Sequence, residues 1–259
     1  MLKNKVTLIT GASAGIGEAC ARTFAREGSR LILAARRKEK LEKLAATLAD
    51  AYGTRALTIE LDVRDRQQVN EAIAGLPADW REIDILINNA GLSRGLDRIQ
   101  DGYHLDWEEM IDTNIKGLLW VSRAVMPGMV ARDRGHIINL GSIAGRQVYP
   151  GGNVYCATKH AVRALNQALR IDLLGTRVRC SSVDPGMVET EFSEVRFRGD
   201  TERAAAVYRD FLPLKAEDIA ETILFCATRP PHVNIQEVLI MPQDQAAAQA
   251  IHRRGVPDI

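Results

Sequence analysis

The sequence has little surplus charge, few aromatics, few cysteines and no long apolar run. Its 34 Lys and Arg offset 33 Asp and Glu, leaving a net charge of +1. That balance lacks the electrostatic footprint of a nucleic-acid binder, so any charge-driven binding must be local. The four cysteines, Cys20, Cys156, Cys180 and Cys226, lie far apart and form no CxxC pair. Neither a zinc ribbon nor a disulfide framework is expected, and reduced thiols in a cytoplasmic protein are the plainer reading. The first apolar run, "VTLIT", ends at Gly11, too short for a signal segment or a membrane span, so no membrane partner is expected. The five histidines, His104, His136, His160, His232 and His252, show no ligand spacing. Surface or capping roles fit them, and no metal is expected.

What is present is a chain of 259 residues, 46% hydrophobic with three tryptophans, enough apolar mass for one large core. One α/β domain over residues 1–259 fits that length. Short runs, "KVTLIT", "RLILAA", "RALTIELDV", "IDILINNA", "GHIINLGS", "VRCSSVDP" and "QEVLIM", alternate with segments of helical periodicity. These runs are almost continuously apolar, as strands covered on both faces are. A Rossmann-type, doubly wound parallel sheet of about seven strands follows. Segment 106–132 predicts a long helix with an Asp cap and a kink near Pro127. Residues 187–214 interrupt the rhythm before the last helix and strand, and their length predicts a lid. The tail, about 243–259, lacks a strong pattern; it is expected to dock on a neighbouring subunit or to be loose.

"VTLITGASAGIG" places Gly11, Gly15 and Gly17 at the first strand-to-helix turn, with Ser13 and Ile16 between them. Glycines there let the backbone approach a pyrophosphate, whose charge the following helix N-terminus stabilises. The second strand ends in Ala35, Arg36 and Arg37. A carboxylate in that slot would accept from ribose hydroxyls and repel a 2′-phosphate, whereas a guanidinium fork matches phosphate oxygens, so NADP is favoured over NAD. A solvated helix start is the competing reading of these arginines, but cations oppose the dipole there. Asp62 and Val63 close the third strand beside the adenine position, with a capping role as the alternative for Asp62. "NNAG", with Asn89, Ala90 and Gly91, ends the fourth strand and suits tying loops together beside the ribose.

Tyr155 and Lys159 stand four residues apart on one predicted helix, about 6 Å along its axis, and so share a face. A nearby ammonium favours the phenolate, bringing a hydroxyl of ordinary pKa about 10 toward useful proton exchange. A solvated YxxxK pair is common by chance, but Ser142 closes the preceding strand and Asn114 sits inside the predicted long helix. Asparagine is mildly unfavourable in a helix interior, which points to a polar job.

In order, TGxxxGxG, NNAG, Asn114, Ser142, YxxxK and "DPGMVET" resemble the short-chain dehydrogenase/reductase family along almost the whole chain. The resemblance implies Tyr155 as acid/base, Lys159 lowering its pKa and binding the nicotinamide ribose, Ser142 orienting the reacting oxygen, and Asn114 holding a water in a proton relay. It also implies that Pro185, Gly186, Val188 and Thr190 border the nicotinamide carboxamide. "WEEMIDTNIKGLL", "YPGGNVYCATK" and "TEFSEVRFRGD" resemble its NADP-dependent 3-hydroxy acid dehydrogenase branch, which acts on serine, L-allo-threonine and 3-hydroxypropionate. That likeness implies a small anionic substrate, a cationic anchor among Arg146, Arg196 and Arg198, and a homotetramer. A sulfonate such as that of sulfoacetaldehyde is the alternative anion. A regulatory protein keeping the fold without turnover would have no need of Tyr155 and Lys159.

Overall fold

The computed structural model describes residues 2–254. Seven strands, β1 (Val6–Thr10), β2 (Arg30–Ala35), β3 (Ala56–Glu60), β4 (Ile83–Asn88), β5 (Gly135–Leu140), β6 (Val178–Pro185) and β7 (Glu237–Ile240), form one sheet. Its order is β3-β2-β1-β4-β5-β6-β7, and every neighbouring pair is parallel. The chain first winds outward from β1 to β3, then returns to β4 on the other side of β1. That reversal opens a crevice at the carboxyl ends of β1 and β4, where such sheets bind ligands.

Alternation along the strands supplies two cores. Ile9, Leu31 and Leu33 face α1 (Gly15–Arg26), α2 (Lys38–Tyr52) and α9 (Ala216–Ala227), packing with Phe24, Leu41 and Ile223. Leu8, Ile32 and Ala34 face the other way, toward α3 (Arg66–Ala74), α5 (Leu118–Ala131) and α6 (Asn153–Asp172), packing with Val69, Val121 and Leu169. Burial on both faces explains why the strands read as continuous apolar runs.

The long central helix differs from expectation in two ways. It starts as α4 (His104–Ile111) after Tyr103, and Asp106 lies within the first turn rather than at the cap. Its irregularity is a π-helical stretch, Asp112–Gly117, between α4 and α5, while Pro127 lies inside α5. His136 corrects the surface reading of the histidines: it is 1% exposed in β5, with Nε2 2.8 Å from Ser181 Oγ.

The 187–214 insertion carries α7 (Phe192–Arg196) and α8 (Thr201–Val207). Its two ends are tied together, Leu214 N donating to Met187 O and Glu189 N to Leu214 O. The tail folds back on its own chain as a short hairpin with an antiparallel bridge between Gln245 and Ile251, and Ala248 N donates to Gln147 Oε1. For residues 243–254 this replaces the expectation of a loose segment; 255–259 lie outside the described residues.

Candidate active site

The glycine turn, Arg36 and Arg37, Asp62 and Val63, NNAG, Ser142 and the 185–190 loop follow the carboxyl ends of β1, β2, β3, β4, β5 and β6 in turn. At β1 the chain turns through Gly11 (φ +66°) and Gly15 (φ +53°), conformations that a side chain resists. A Cβ on Gly17 would lie 2.3 Å from Gly11 O, so the turn closes only around glycine there. Helix α1 then opens after Ala14 with no side-chain cap, leaving the first-turn N–H groups for an outside acceptor.

The NNAG turn braces this loop. Asn89 Nδ2 donates to Thr10 O and Gly11 O at 2.9 and 3.2 Å, while Thr10 Oγ1 accepts from the N–H groups of Asn89 and Ala90. Thr10 was not legible as a site residue; its position beside the glycine turn is the signal. Across the crevice, a Cβ on Gly15 would meet Thr190 at 3.3 Å, so the first turn and the loop after β6 face each other closely.

At the end of β2, Arg37 Nε donates to Ser13 Oγ at 3.1 Å and its Nη1 pairs with Glu191 at 2.8 Å. Lys40 pairs with the other oxygen of Glu191 at 2.9 Å. Arg36 is exposed beside them, and its charge reaches Asp62 and Glu109. Three cations and no carboxylate from β2 surround this corner, with an uncapped helix start nearby. These groups fit a dinucleotide carrying an extra phosphate on its ribose. Asp62 is held by Arg64, and the cap of α3 is Asp65, which settles the alternative raised for Asp62.

Tyr155, Lys159 and Ser142 converge as their spacing required. Tyr155 and Lys159 lie on α6, 8% and 6% exposed, and Lys159 Nζ is 5.9 Å from the phenol ring centre. Lys159 Nζ donates to Leu140 O at 2.8 Å, and Ser142 caps a 3-10 turn, Ile143–Gly145, at the end of β5. The electrostatics differ from the expectation of a phenol made acidic by its lysine. Burial raises the Tyr155 hydroxyl above its ordinary value, opposed by the charge of Arg196 and a hydrogen bond with Ser142. The same burial lowers the Lys159 ammonium to about 8, against the pull of Asp184. Both groups are dehydrated, and removing water disfavours each charged form more than the neighbour favours it.

Asn114 sits in the π-helical stretch, 2% exposed. Its Oδ1 accepts from Leu92 N at 2.9 Å, and its Nδ2 donates to Leu92 O and Thr158 Oγ1 at 2.8 and 3.0 Å. The amide therefore retains only one Oδ1 lone pair for a water. A Cβ on Gly91 would lie 3.3 Å from that oxygen and 3.7 Å from Lys159 Nζ, so glycine keeps this gap open.

The three candidate anchors separate. Arg146 is committed to Asp184 and Glu237, at 2.7 and 2.6 Å, and serves the sheet edge instead of the cleft. Arg198 is exposed and pairs with Asp106. Arg196 lies over Tyr155, its guanidinium carbon 5.4 Å from that ring centre and 5.1 Å from that of Phe192. One Nη donates to Tyr149 Oη at 3.2 Å, while Nε is buried with no hydrogen-bond partner among the described residues. Tyr149 was missed in the sequence; the signal was Gly152, where a Cβ would meet its ring at 2.4 Å.

A family model for short chain dehydrogenases matches residues 5–200. The chain belongs to that family. This short-chain dehydrogenase is 50% identical over 250 residues to NADP-dependent 3-hydroxy acid dehydrogenase YdfG of Salmonella typhi, a match covering 96% of this chain and 99% of the relative. It is 48% identical over 250 residues to sulfoacetaldehyde reductase 2 of Chromohalobacter salexigens, covering 96% of this chain and 98% of the relative. Among solved structures, the closed form of serine dehydrogenase complexed with NADP+ superposes with a TM-score of 0.90 at 47% identity, covering 96% of this chain and 100% of that one. The parallel seven-stranded sheet is thus the family's fold.

Proposed function

We propose that this short-chain dehydrogenase is an NADP-dependent oxidoreductase that oxidises the 3-hydroxyl of small 3-hydroxy acids, such as serine, L-allo-threonine and 3-hydroxypropionate, or reduces the matching semialdehydes. The observation that carries the substrate class is Arg196: a guanidinium stacked on the Tyr155 ring whose buried Nε lacks a partner among the described residues. An orphaned buried donor is costly unless a ligand acceptor meets it, and a carboxylate one or two bonds from the reacting carbon would do so. Tyr149, on the same guanidinium, adds a second donor at that end of the pocket.

NADP, when bound, supplies the hydride acceptor. Gly11, Ser13, Gly15, Ile16 and Gly17 would hold its pyrophosphate side, Arg36 and Arg37 its 2′-phosphate, Asp62 and Val63 its adenine. Asn89, Ala90, Gly91, Tyr155 and Lys159 would border the nicotinamide ribose, and Pro185, Gly186, Val188 and Thr190 the carboxamide. Ser142 donates to the substrate oxygen, and Tyr155 Oη takes the hydroxyl proton as the carbon gives up hydride. In reduction Tyr155 Oη returns the proton. Burial brings the Lys159 ammonium down to about 8, so above that pH its free amine can receive the phenolic proton as Tyr155 takes that of the alcohol. Asn114 fixes Leu92 and Thr158 around them and offers its remaining lone pair to a relay water.

The 187–214 insertion serves as a lid, and the chain works as one domain in the cytoplasm. Four unpaired, buried cysteines support that compartment, and no helix among the described residues is long and apolar enough to cross a membrane. Exposed Leu105, Ile171 and Leu174 on or beside the long helices support a homotetramer. A second reading, reduction of sulfoacetaldehyde, is favoured by one of the relatives and by the indifference of a guanidinium to carboxylate or sulfonate. Initial rates with serine, 3-hydroxypropionate and isethionate, each with NADP and NAD, separate the two. Arg196→Met is expected to raise KM for the preferred anion roughly 10- to 100-fold and leave KM for NADP alone. No turnover of any of the three alcohols, or an unchanged KM, would remove this reading.

A further inference from the structure

Gln245 stands far from every motif, in the hairpin that follows β7, yet it is 3% exposed. Its Oε1 accepts from the backbone N–H of Met187 at 2.8 Å, directly after the Pro185–Gly186 turn that ends β6. A Cβ on Gly186 would lie 2.4 Å from that same Oε1 and 2.9 Å from Pro242, so Gly186 is the residue that lets the tail approach. Gly186 N in turn donates to Ile240 O at 2.8 Å, and Gln245 N to Pro242 O at 3.0 Å. Two consecutive N–H groups of the 185–190 loop are therefore consumed by the β7–tail segment.

The consequence falls on Val188. Its bridge to Leu214 uses the flanking groups Met187 O and Glu189 N, so the N–H of Val188 itself faces away from Leu214. Tyr208 Oη donates to Val188 O at 2.8 Å, fixing the peptide from its other side. The tail carrying Gln245 is anchored at two further places. Ala248 N donates to Gln147 Oε1, five residues after Ser142, and Arg253 donates to the carbonyls of Val207 and Arg209 beside α8.

We infer that Gln245 is a positioning residue for the nicotinamide end of the cofactor, acting through Met187 on the loop that carries Val188 and Thr190. It rests on the reading above that this loop borders the carboxamide. The side chain touches no reacting atom; it sets the direction in which the loop presents its backbone. The tail is thereby part of the cofactor site, although its sequence carries no cofactor motif.

Calorimetric binding of NADP and of adenosine 2′,5′-bisphosphate, which lacks the nicotinamide half, tests this without turnover. Gln245→Met keeps the volume and removes the acceptor. It is expected to weaken NADP about tenfold, equal to about 1.4 kcal/mol, and to change the bisphosphate less than about twofold. Gln245→Glu retains an acceptor oxygen in either protonation state and is expected to restore NADP to within about threefold of the original chain. Amide exchange at Met187 should accelerate in Gln245→Met and not in Gln245→Glu. Equal weakening of both ligands, unchanged NADP binding in Gln245→Met, or failure of Gln245→Glu to restore it would overturn the inference. None of these readouts depends on which alcohol the enzyme oxidises.

Discussion

The two halves of the cleft are built by different means. The half over β1, β2 and β3 is made of backbone: Gly11, Gly15 and Gly17 shape a turn, and α1 presents unfilled N–H groups. Arg37 reaches Ser13 across only 24 residues, and a longer brace, Asn89, holds the backbone carbonyls of Thr10 and Gly11. The half over β5, β6 and the 187–214 insertion is made of distant side chains. Arg196 reaches Tyr149 across 47 residues, Arg94 reaches Val195 O across 101, and Arg146 reaches Glu237 across 91. A pocket made by local backbone is written in a few adjacent letters, and one made by remote side chains is not. Glu191 on Arg37 and Lys40 ties the insertion to the β2 corner, and all three side chains are 41–49% exposed. Such exposed pairs are weak and salt-sensitive, which suits the lid role proposed for the insertion.

Removing the phenol oxygen is the largest expected loss. Tyr155→Phe should cut turnover about 10²- to 10⁴-fold while NADP binding stays within about threefold, because the β1–β3 half is untouched. In the original chain, oxidation should rise with pH through about 8, where the buried Lys159 ammonium gives up its proton, and reduction should fall over the same range. Rates across pH 6–10 check both statements. Arg36→Ala comes next: the NADP-to-NAD preference in kcat/KM should fall roughly tenfold, and less for Arg37→Ala, whose guanidinium already serves Ser13 and Glu191.

Arg146→Met acts on stability and not on substrate capture. It leaves the Asp184 carboxylate, whose side chain is 2% exposed, without its main cation, expected to cost about 2–4 kcal/mol and roughly 5–10 °C in Tm. KM for the hydroxy acid should hardly move; a large rise there would return Arg146 to the list of anchors. The smallest effect concerns His136. Burial, helped by Arg179, holds its imidazole well below the usual value. The unfolded chain therefore binds the extra proton first, and stability falls as pH drops below about 6.5. His136→Gln, neutral at every pH, should flatten that slope in thermal melts between pH 5 and 7.

Most of the fold was legible because burial on both faces leaves continuous apolar strands at regular spacing. The layout of the candidate site was legible where a residue's place depends on its own neighbours, as with Gly17, Tyr155 and Lys159. It was less so where burial decides: the sequence places an ammonium by a phenol, but not the absence of water around both. Arg146, Arg196 and Arg198 looked alike because spacing alone does not reveal that Asp184 and Asp106 claim two of them. Tyr149 and Gln245 had only glycines as markers, Gly152 and Gly186, each making room for the side chain that matters.

The π-helical stretch at Asp112–Gly117 leaves the coils on either side out of phase. One residue of a regular helix turns the axis by about 100°. Loss of a single residue here would restore even pitch, yet swing the upstream coil by more than a quarter turn and pull Glu109 off Arg94, whose Nε it meets at 2.7 Å. A homologue can therefore shorten surface loops freely, but it cannot trim this helix without uncoupling its two ends.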